Sequence, residues 1–583
     1  MKFFGAISPF IALMFLSRLL EEKCQPLAFL HVQAFKSGHI HRKVNTIHAS
    51  FSNFSSSSQP RDGQCPIKSG TPTVTSRFLA DCVDRGLIFQ ATDMSKLDDL
   101  LCESAKGIFC QDSTYPAVYY GIDCTNNFIH EGTLLQLLLL RKFLSQKLNL
   151  VIVIGGGTTV VGDPSYKQRK NRIKKDGNVQ VTKSTILDKP WNDSIVEEGN
   201  EKAILGAIYK ILSPPLTVDG KEVYPNIINT SENDANISNR IKSPYNVIII
   251  NNRKLYENVS LMEYLEIVAK NMNLGRMLSR DSIKLRINNE SDKVERKRPF
   301  SGINMDLSEL MYMSLQAMDF IYVASKFNVK VQLGGSDQMG NIVSGLELAD
   351  ALGMKDLVGV TTPLLQDKHG EKISKSNANC LLKITRDTVP SVLWTHFRNI
   401  DDDLVLSYLK WLTDVSMEKI EDSINEHINT AKILLADELS AKLYGKESVD
   451  AIHKYGLSKD FQSLQPYLDG KMNVPIGEYN LFASFSQSVP HTRVSEEKLK
   501  EGIEFHELLD SVRIPFLATG IFYTNKQSIR DGICKINGRL ETNIKHKVTC
   551  EDIKSIKSQD GHVLNYIVLQ VGKRQIYFVL IDK

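Results

Sequence analysis

No two of the nine cysteines in this 583-residue chain stand in C-x-x-C spacing, and none falls with histidine in a zinc-type cluster. That scatter argues against a disulfide framework and a structural zinc, so the sequence offers no metal centre. A charge of one sign is lacking too. The 71 Lys and Arg against 67 Asp and Glu leave a net +4, which gives the whole chain no strong preference for nucleic acid but leaves room for local basic patches. The apolar stretch from Phe3 to Leu16 is interrupted by Gly5, Ser8 and Pro9 and falls short of the ~20 residues of a membrane span. Hydrophobic content of 42% and charged content of 24% match a soluble globular protein, and the length suits about three or four domains.

Acidic residues are absent from Lys23 to Arg61, while Lys36, Arg42, Lys43, four histidines and the run Ser55-Ser56-Ser57-Ser58 are present. A segment of that composition cannot build a core. Preceded by Lys2 and the short apolar stretch, it reads as two addresses in series: a signal-peptide-like segment at 1–22 and a transit-peptide-like, disordered segment at 23–75. The expectation is two-step import into a plastid of secondary-endosymbiotic type, an apicoplast, with a mitochondrial presequence as the alternative.

Beyond residue 76, Ala117 to Asp123 has the pattern of a short strand, Leu134 to Phe143 that of a Leu-rich helix, and Val151 to Ile154 that of a β-branched strand entering Gly155-Gly156-Gly157. Strand, helix, strand in that order is the mark of a parallel α/β sheet. Composition shifts to Lys, Asn, Asp and Ser between residues 166 and 246, which reads as insertion and loop with one helix near Ala203 to Leu212. The sheet pattern resumes at Val329 to Leu333, residues 389–491 turn helical, and 502–583 form a small basic α+β unit with a turn at Asn537-Gly538.

Four patterns carry chemistry. Tyr119 to Thr125, followed by His130-Glu131-Gly132-Thr133, is a strand end and a helix start, where backbone N–H groups and an imidazole can meet polyphosphate. Taken alone, such a motif is more often a helix start than a site. Gly155-Gly156-Gly157, leading to Gly162-Asp163-Pro164-Ser165, permits close approach to a ligand or is simply a tight βα turn. Tyr312, Gln316 and Asp319 share one helical face among apolar neighbours, before Gly334-Gly335-Ser336-Asp337-Gln338 at the next strand end. Finally, Lys372 and Lys375 lie in a Gly/Ser-containing loop that can follow a polyphosphate as charge develops, or that is merely solvated.

In this order and spacing the patterns resemble tyrosyl-tRNA synthetases of the bacterial and organellar type, which are class I aminoacyl-tRNA synthetases. The similarity runs from about Ser76 to the C-terminus. The H-I-G-H signature corresponds to His130-Glu131-Gly132-Thr133, and K-M-S-K-S to Lys372-Ile373-Ser374-Lys375-Ser376. The resemblance implies a Rossmann-type parallel-sheet catalytic domain at 76–388 with its insertion at 166–246, a helical anticodon-binding domain at 389–491 and a C-terminal α-L RNA-binding module at 502–583.

It further implies that Tyr119 and Asp319 hold a substrate phenol, that Asp163, Tyr312 and Gln316 hold its ammonium group, and that Gln338 faces the activated carboxylate. ATP would meet Gly121, Asp123, Thr125, His130, Gly132, Gly335, Asp337, Lys372 and Lys375, with His130, Thr133 and the two lysines acting on the triphosphate. Thr133 stands where the signature has its second histidine, Cys124 where Pro is usual, Tyr166 where Gly is common and Met339 where Trp is usual. The implied partners are L-tyrosine, ATP with Mg2+ as its counter-ion, tRNA(Tyr) and a second copy of the chain. The competing readings are the tryptophan enzyme of the same fold and a synthetase-derived RNA-binding protein without catalysis.

Overall fold

The computed structural model describes residues 74–107, 114–161, 194–230, 242–280, 283, 307–366, 382–456, 459–513, 525–572 and 575–582. The expected targeting segments at 1–22 and 23–75 lie outside these residues, except for 74 and 75. The chain begins with α1 (Arg77–Asp84), β1 (Gln90–Ala91) and α2 (Met94–Lys106), then forms the expected β2 (Ala117–Ile122), α3 (Glu131–Ser145) and β3 (Asn149–Ile154). The short α4 (Thr158–Val161) leads to α5 (Ser194–Leu212), the hairpin β4 (Leu216–Val218) and β5 (Lys221–Val223), and strands β6 (Asn226–Asn229) and β7 (Asn246–Asn251). Helices α6 (Asn252–Glu257), α7 (Leu261–Ile267), α8 (Leu274–Leu278) and the long α9 (Leu307–Phe327) precede β8 (Val329–Gly335), α10 (Met339–Ala351) and β9 (Val358–Thr362).

The central sheet has the order β1-β9-β8-β2-β3-β7-β6 and is parallel except at β1, which pairs antiparallel with β9. Parallel strands covered on both faces need apolar side chains in both directions, and all six residues of β3 are buried. Strand alternation then assigns the faces. Val118, Tyr120 and Ile122 share a core with the leucines of α3, while Ala117 and Tyr119 share one with Phe320, Val323 and Phe327 of α9. Leu134, Leu135, Leu137, Leu138, Leu139 and Leu140 are all buried, as befits a helix enclosed on every side.

Within 166–246 the helix expected near Ala203 to Leu212 is present as α5, and the loop reading needs correction after it, where β6 joins the sheet. Among the described residues, α5 buries Ile204, Ala207, Ile208, Ile211 and Leu212, and β6 extends the sheet as an edge strand with Ile228 buried. A few apolar positions at helix and strand spacing suffice to dock these elements, while their polar neighbours set the composition.

Helices α11 (Pro390–Arg398), α12 (Val405–Leu412), α13 (Met417–Glu426), α14 (Ile428–Tyr444) and α15 (Lys446–Ala451) form the helical region. Leu393, Phe397, Tyr408, Leu409, Leu435 and Leu439 belong to the same continuous core as α3.

The remainder comprises β10 (Lys471–Val474), α16 (Ile476–Ser488), β11 (His491–Ser495), α17 (Glu496–Glu501), β12 (Ile503–Glu504), α18 (Phe505–Arg513) and α19 (Asn525–Arg530). It ends with β13 (Cys534–Ile536), β14 (Arg539–Glu541), β15 (Lys547–Val548), β16 (Lys554–Ser558), β17 (Val563–Val571) and β18 (Gln575–Asp582). Asn537 and Gly538 both take positive φ, 46° and 79°, as the two-residue hairpin between β13 and β14 requires. Among the described residues, no helix is long and apolar enough to cross a membrane.

The expected border between 389–491 and 502–583 moves toward the N-terminus. Strand β10 pairs with β16 and β11 with β18, and Phe482 of α16 lies 5.1 Å from Tyr566 and 5.8 Å from Phe578, ring to ring. The apolar spacing of α16 reads as helix, but its partners are strands nearly a hundred residues later. A chain ended after Glu501 is therefore expected to expose Phe482 and Phe485 and to aggregate, whereas one ended after Gly445 stays soluble. Size-exclusion profiles of the two chains check this, and a monodisperse 501-residue chain would refute it.

Candidate active site

The carboxyl ends of β2, β3 and β8, with Asn252 just after β7, open into one cleft. It lies where the sheet order turns, with β3 continuing from β2 to one side and β8 and β9 lying on the other. That is where open α/β sheets hold ligands.

At its buried end stand Tyr119 from β2 and Asp319 from α9, 2% and 3% exposed. The Tyr119 ring stacks on Phe320 at 6.0 Å, which fixes its direction. Burial, and then the charges of Asp319 and Asp123, push the Tyr119 phenol well up, so it stays neutral. Asp319 accepts from Asn252 Nδ2 at 2.9 Å and from the Tyr256 hydroxyl at 2.7 Å. Burial raises its carboxyl to about 7 against the opposing pull of these two donors. Tyr312 and Gln316 line the cleft a turn or two earlier on α9; the Tyr312 hydroxyl lies 3.5 Å from Asp123 Oδ1. Gln316 Oε1 is buried without a hydrogen-bond partner among the described residues, an acceptor suited to an ammonium donor.

The outer end is built on the N-terminus of α3. His130 caps the helix: its Nδ1 accepts from Gly132 N–H at 3.0 Å, which leaves the ring proton on Nε2, 3.5 Å from Thr133 Oγ1. The His-x-Gly spacing has a steric cause, because a Cβ on Gly132 would lie 2.9 Å from His130 Cε1. The helix start supplies N–H groups and the positive end of a dipole, a setting for phosphate. Gly121, Asp123, Gly335, Asp337 and Gln338 also line this cleft. Gln338 Oε1 is held by Asn341 Nδ2 at 2.9 Å, which orients the amide.

Glu131, between the two signature residues, is 2% exposed and points away from the cleft into the helical region. The Tyr408 hydroxyl donates to Oε2 at 2.6 Å, and His396 Nε2 lies 2.7 Å from Oε1, out of line for a directional hydrogen bond. Burial alone would raise this carboxyl, but His396, Tyr408 and the Leu382 backbone together hold it below its ordinary value. Next to it, Ile129 exchanges backbone hydrogen bonds with Ile384 at 3.0 and 2.9 Å.

Twelve of the residues singled out in the sequence therefore line one cleft, among them Tyr119, Asp319, Tyr312, His130, Gly335 and Asp337. Thr125 does not. It is exposed and outside the lining, next to Cys124, whose N–H donates to Thr159 Oγ1 at 3.0 Å. Asp163, Lys372 and Lys375 lie outside the described residues. Asn252 lines the cleft and went unnoticed in the sequence, although Ile248-Ile249-Ile250 before Asn251-Asn252 is the same strand-end signal used elsewhere. Among the described residues, the group of ligand-type side chains close enough to share an ion, Glu504, His506 and Glu507, lies at the start of α18 and outside the cleft.

Comparison with known proteins places residues 112–455 in the family described as tRNA synthetases class I (W and Y). The chain is 28% identical over 511 residues to the tyrosine–tRNA ligase of Wolbachia sp. subsp. Drosophila simulans (strain wRi), covering 87% of this chain and 99% of that protein. It is 26% identical over 500 residues to that of Pelagibacter ubique (strain HTCC1062), covering 86% and 98%. Among solved structures, a C-terminally truncated mitochondrial tyrosyl-tRNA synthetase of Coccidioides posadasii matches with a TM-score of 0.45 at 23% identity, over 64% of this chain and 90% of that one.

Proposed function

The chain belongs to the class I tRNA synthetases of the W and Y family, and from that premise we propose that it activates L-tyrosine with ATP and transfers it to tRNA(Tyr). A carboxylate oxygen of tyrosine attacks the α-phosphorus of ATP, the bond to the bridging oxygen breaks, and pyrophosphate leaves. A ribose hydroxyl of the 3′-terminal adenosine then attacks the adenylate carbonyl and AMP departs. Neither step needs a protein nucleophile, so the residues act by positioning and by stabilising charge.

In this reading Tyr119 and Asp319 hold the phenol, Tyr312, Gln316 and Asp163 the ammonium group, and Gln338 the activated carboxylate. Gly121, Asp123, Gly132, Gly335 and Asp337 receive the nucleotide, and His130, Thr133, Lys372 and Lys375 meet the triphosphate. Mg2+ accompanies ATP as its counter-ion and supplies charge neutralisation. The observation that carries the reading is the pairing, in one cleft, of a buried phenol-and-carboxylate end with a capped helix N-terminus. The tyrosine-dependent exchange of pyrophosphate into ATP, assayed across all twenty amino acids, tests it: exchange with tyrosine alone is expected. Exchange with tryptophan would point to the sister enzyme, and exchange with none to a binding protein.

Two further properties belong to the proposal. Leu261, Met262 and Leu265 of α7 and Leu274 of α8 are exposed apolar side chains, 68%, 70%, 42% and 56%, and a second copy of the chain is proposed to cover them. Sedimentation equilibrium should give a dimer that Leu261→Glu with Met262→Glu dissociates; a wild-type monomer would refute it. The short apolar segment followed by the acid-free stretch from Lys23 to Arg61 supports work in a plastid reached through the secretory membranes. Deleting residues 2–22 should redirect a reporter carried by residues 1–61, and a shortened leader that still reaches the plastid would refute two-step import.

A further inference from the structure

Selection of tyrosine places a demand on Asp319 that the cleft lining alone does not meet. The inference that follows rests on the function proposed above. A buried carboxylate discriminates well only as an oriented anion, because an anion left unpaired by phenylalanine is costly and a neutral acid is less so. Asn252 Nδ2 can only donate, so it fixes Oδ2 of Asp319 as an acceptor at 2.9 Å. The other oxygen is held by a residue that does not line the cleft. Tyr256, on α6, brings its hydroxyl to Oδ1 at 2.7 Å. Its ring is pressed against the chain at Gly157, where a Cβ would lie 2.5 Å from Tyr256 Cδ2. Asn252 ties the same two elements together, accepting from Gly157 N–H at 2.8 Å. The hydroxyl therefore approaches Asp319 from a rigid backing, with little freedom to swing away.

We propose that Tyr256 is a positioning residue for amino-acid selection: from outside the cleft it holds Asp319 in the orientation and charge state in which the carboxylate accepts the substrate hydroxyl. Among the described residues, the groups facing Asp319 are Asn252 and Tyr256 from α6 and Tyr119 from β2, with Asp123 beyond Tyr119. Of these, Tyr256 and Asn252 draw the carboxyl down toward ionisation, and burial opposes them. Losing the Tyr256 hydroxyl removes one of the two donors that, among the described residues, stabilise the anion against its burial.

A structural control lies one helix away. Tyr264 of α7 is also buried and bonds its hydroxyl to Ser314 of α9 at 2.5 Å, but does not touch Asp319. Tyr256→Phe and Tyr264→Phe each delete one oxygen from a helix-to-α9 contact. The measurement is kcat/KM for tyrosine and for phenylalanine in pyrophosphate exchange, across neutral pH, in full-length chains whose melting curves are recorded alongside. Tyr256→Phe should lower the tyrosine-to-phenylalanine ratio by about tenfold or more, the scale of a hydrogen bond to a charged group. It should also move the acid limb of kcat/KM for tyrosine to higher pH, since the anion is less well stabilised. Tyr264→Phe should do neither. A second variant, Tyr256→Met, is read in the same way should the first not fold. A ratio and acid limb unchanged in the Tyr256 variants, or shifted equally by Tyr264→Phe, would overturn the assignment. A wild-type enzyme without tyrosine-dependent exchange would instead refute the function itself, before any variant is compared.

Discussion

Replacing Asp319 by alanine or asparagine is expected to remove most of the enzyme's preference for tyrosine over phenylalanine, with a far smaller effect on ATP. Phenylalanine fits the same space but leaves the buried polar groups at the cleft end without their partner, and that desolvation is what rejects it. A tyrosyl-tRNA synthetase is itself the standard case of this effect, at about 10⁵-fold, so that size belongs to the reference case and not to the geometry of this pocket. Tyr119 contributes a neutral hydroxyl, and Tyr119→Phe should erode the ratio only by the ~0.5–1.5 kcal/mol of a neutral hydrogen bond. Asp319 contributes a charged acceptor at 3% exposure, and its loss also strands the Tyr256 and Asn252 donors. Asp319→Asn separates these effects, since it keeps the volume and one acceptor. Comparison of kcat/KM for the two amino acids in pyrophosphate exchange, on variants shown to be folded, decides the matter. An unchanged ratio in both Tyr119→Phe and Asp319→Asn would mean that the phenol is read elsewhere.

The parts of this pocket that were legible in the sequence obey a local period. Tyr119 and Tyr120 fall on opposite faces of β2 because strand side chains alternate, and Tyr312, Gln316 and Asp319 share a face of α9 because helices repeat every 3.6 residues. Asn252 and Tyr256 follow no long periodic segment. They sit on a six-residue helix, and their role depends on meeting Asp319, sixty-odd positions later. Thr125 is the opposite case: it follows a strand-end motif closely in sequence, yet it is exposed and outside the cleft lining. The same distinction explains the misplaced C-terminal border. Helix α16 is periodic and was legible as a helix, but no local signal says that Phe482 and Phe485 pack against β16 to β18 rather than against α14. Likewise, β6 is four residues long in a Lys/Asn-rich stretch, and its strand identity comes from pairing with β7.

Glu131→Ala should destabilise the fold by about 3–5 kcal/mol, the usual cost of removing one member of a buried charged cluster. The residue stands where the family signature has an apolar side chain, and here it joins the start of α3 to α11 and α12 through His396 and Tyr408. Removing it alone leaves the Tyr408 hydroxyl, 1% exposed as a residue, without its acceptor. An apolar replacement at all three positions should recover much of the loss, because well-packed hydrophobic groups often equal or exceed a buried ion pair. The pH dependence follows from the direction of the shift. Glu131 is held below its ordinary value in the folded state, so its contribution is fully present above the unfolded glutamate value of about 4.3 and is lost as pH falls toward the folded one. Glu131→Gln keeps the shape and an acceptor for Tyr408 but cannot titrate. The stability advantage of the wild type over Glu131→Gln should therefore shrink on acidification through that window, read from denaturant midpoints at matched slopes. The capped helix start that carries His130 would be loosened by the same change, so pyrophosphate exchange should fall in Glu131→Ala at temperatures where the chain is still folded. Should Glu131→Ala prove as stable as the wild type, within about 0.5 kcal/mol, the buried cluster is not what ties the helical region to the nucleotide end of the cleft.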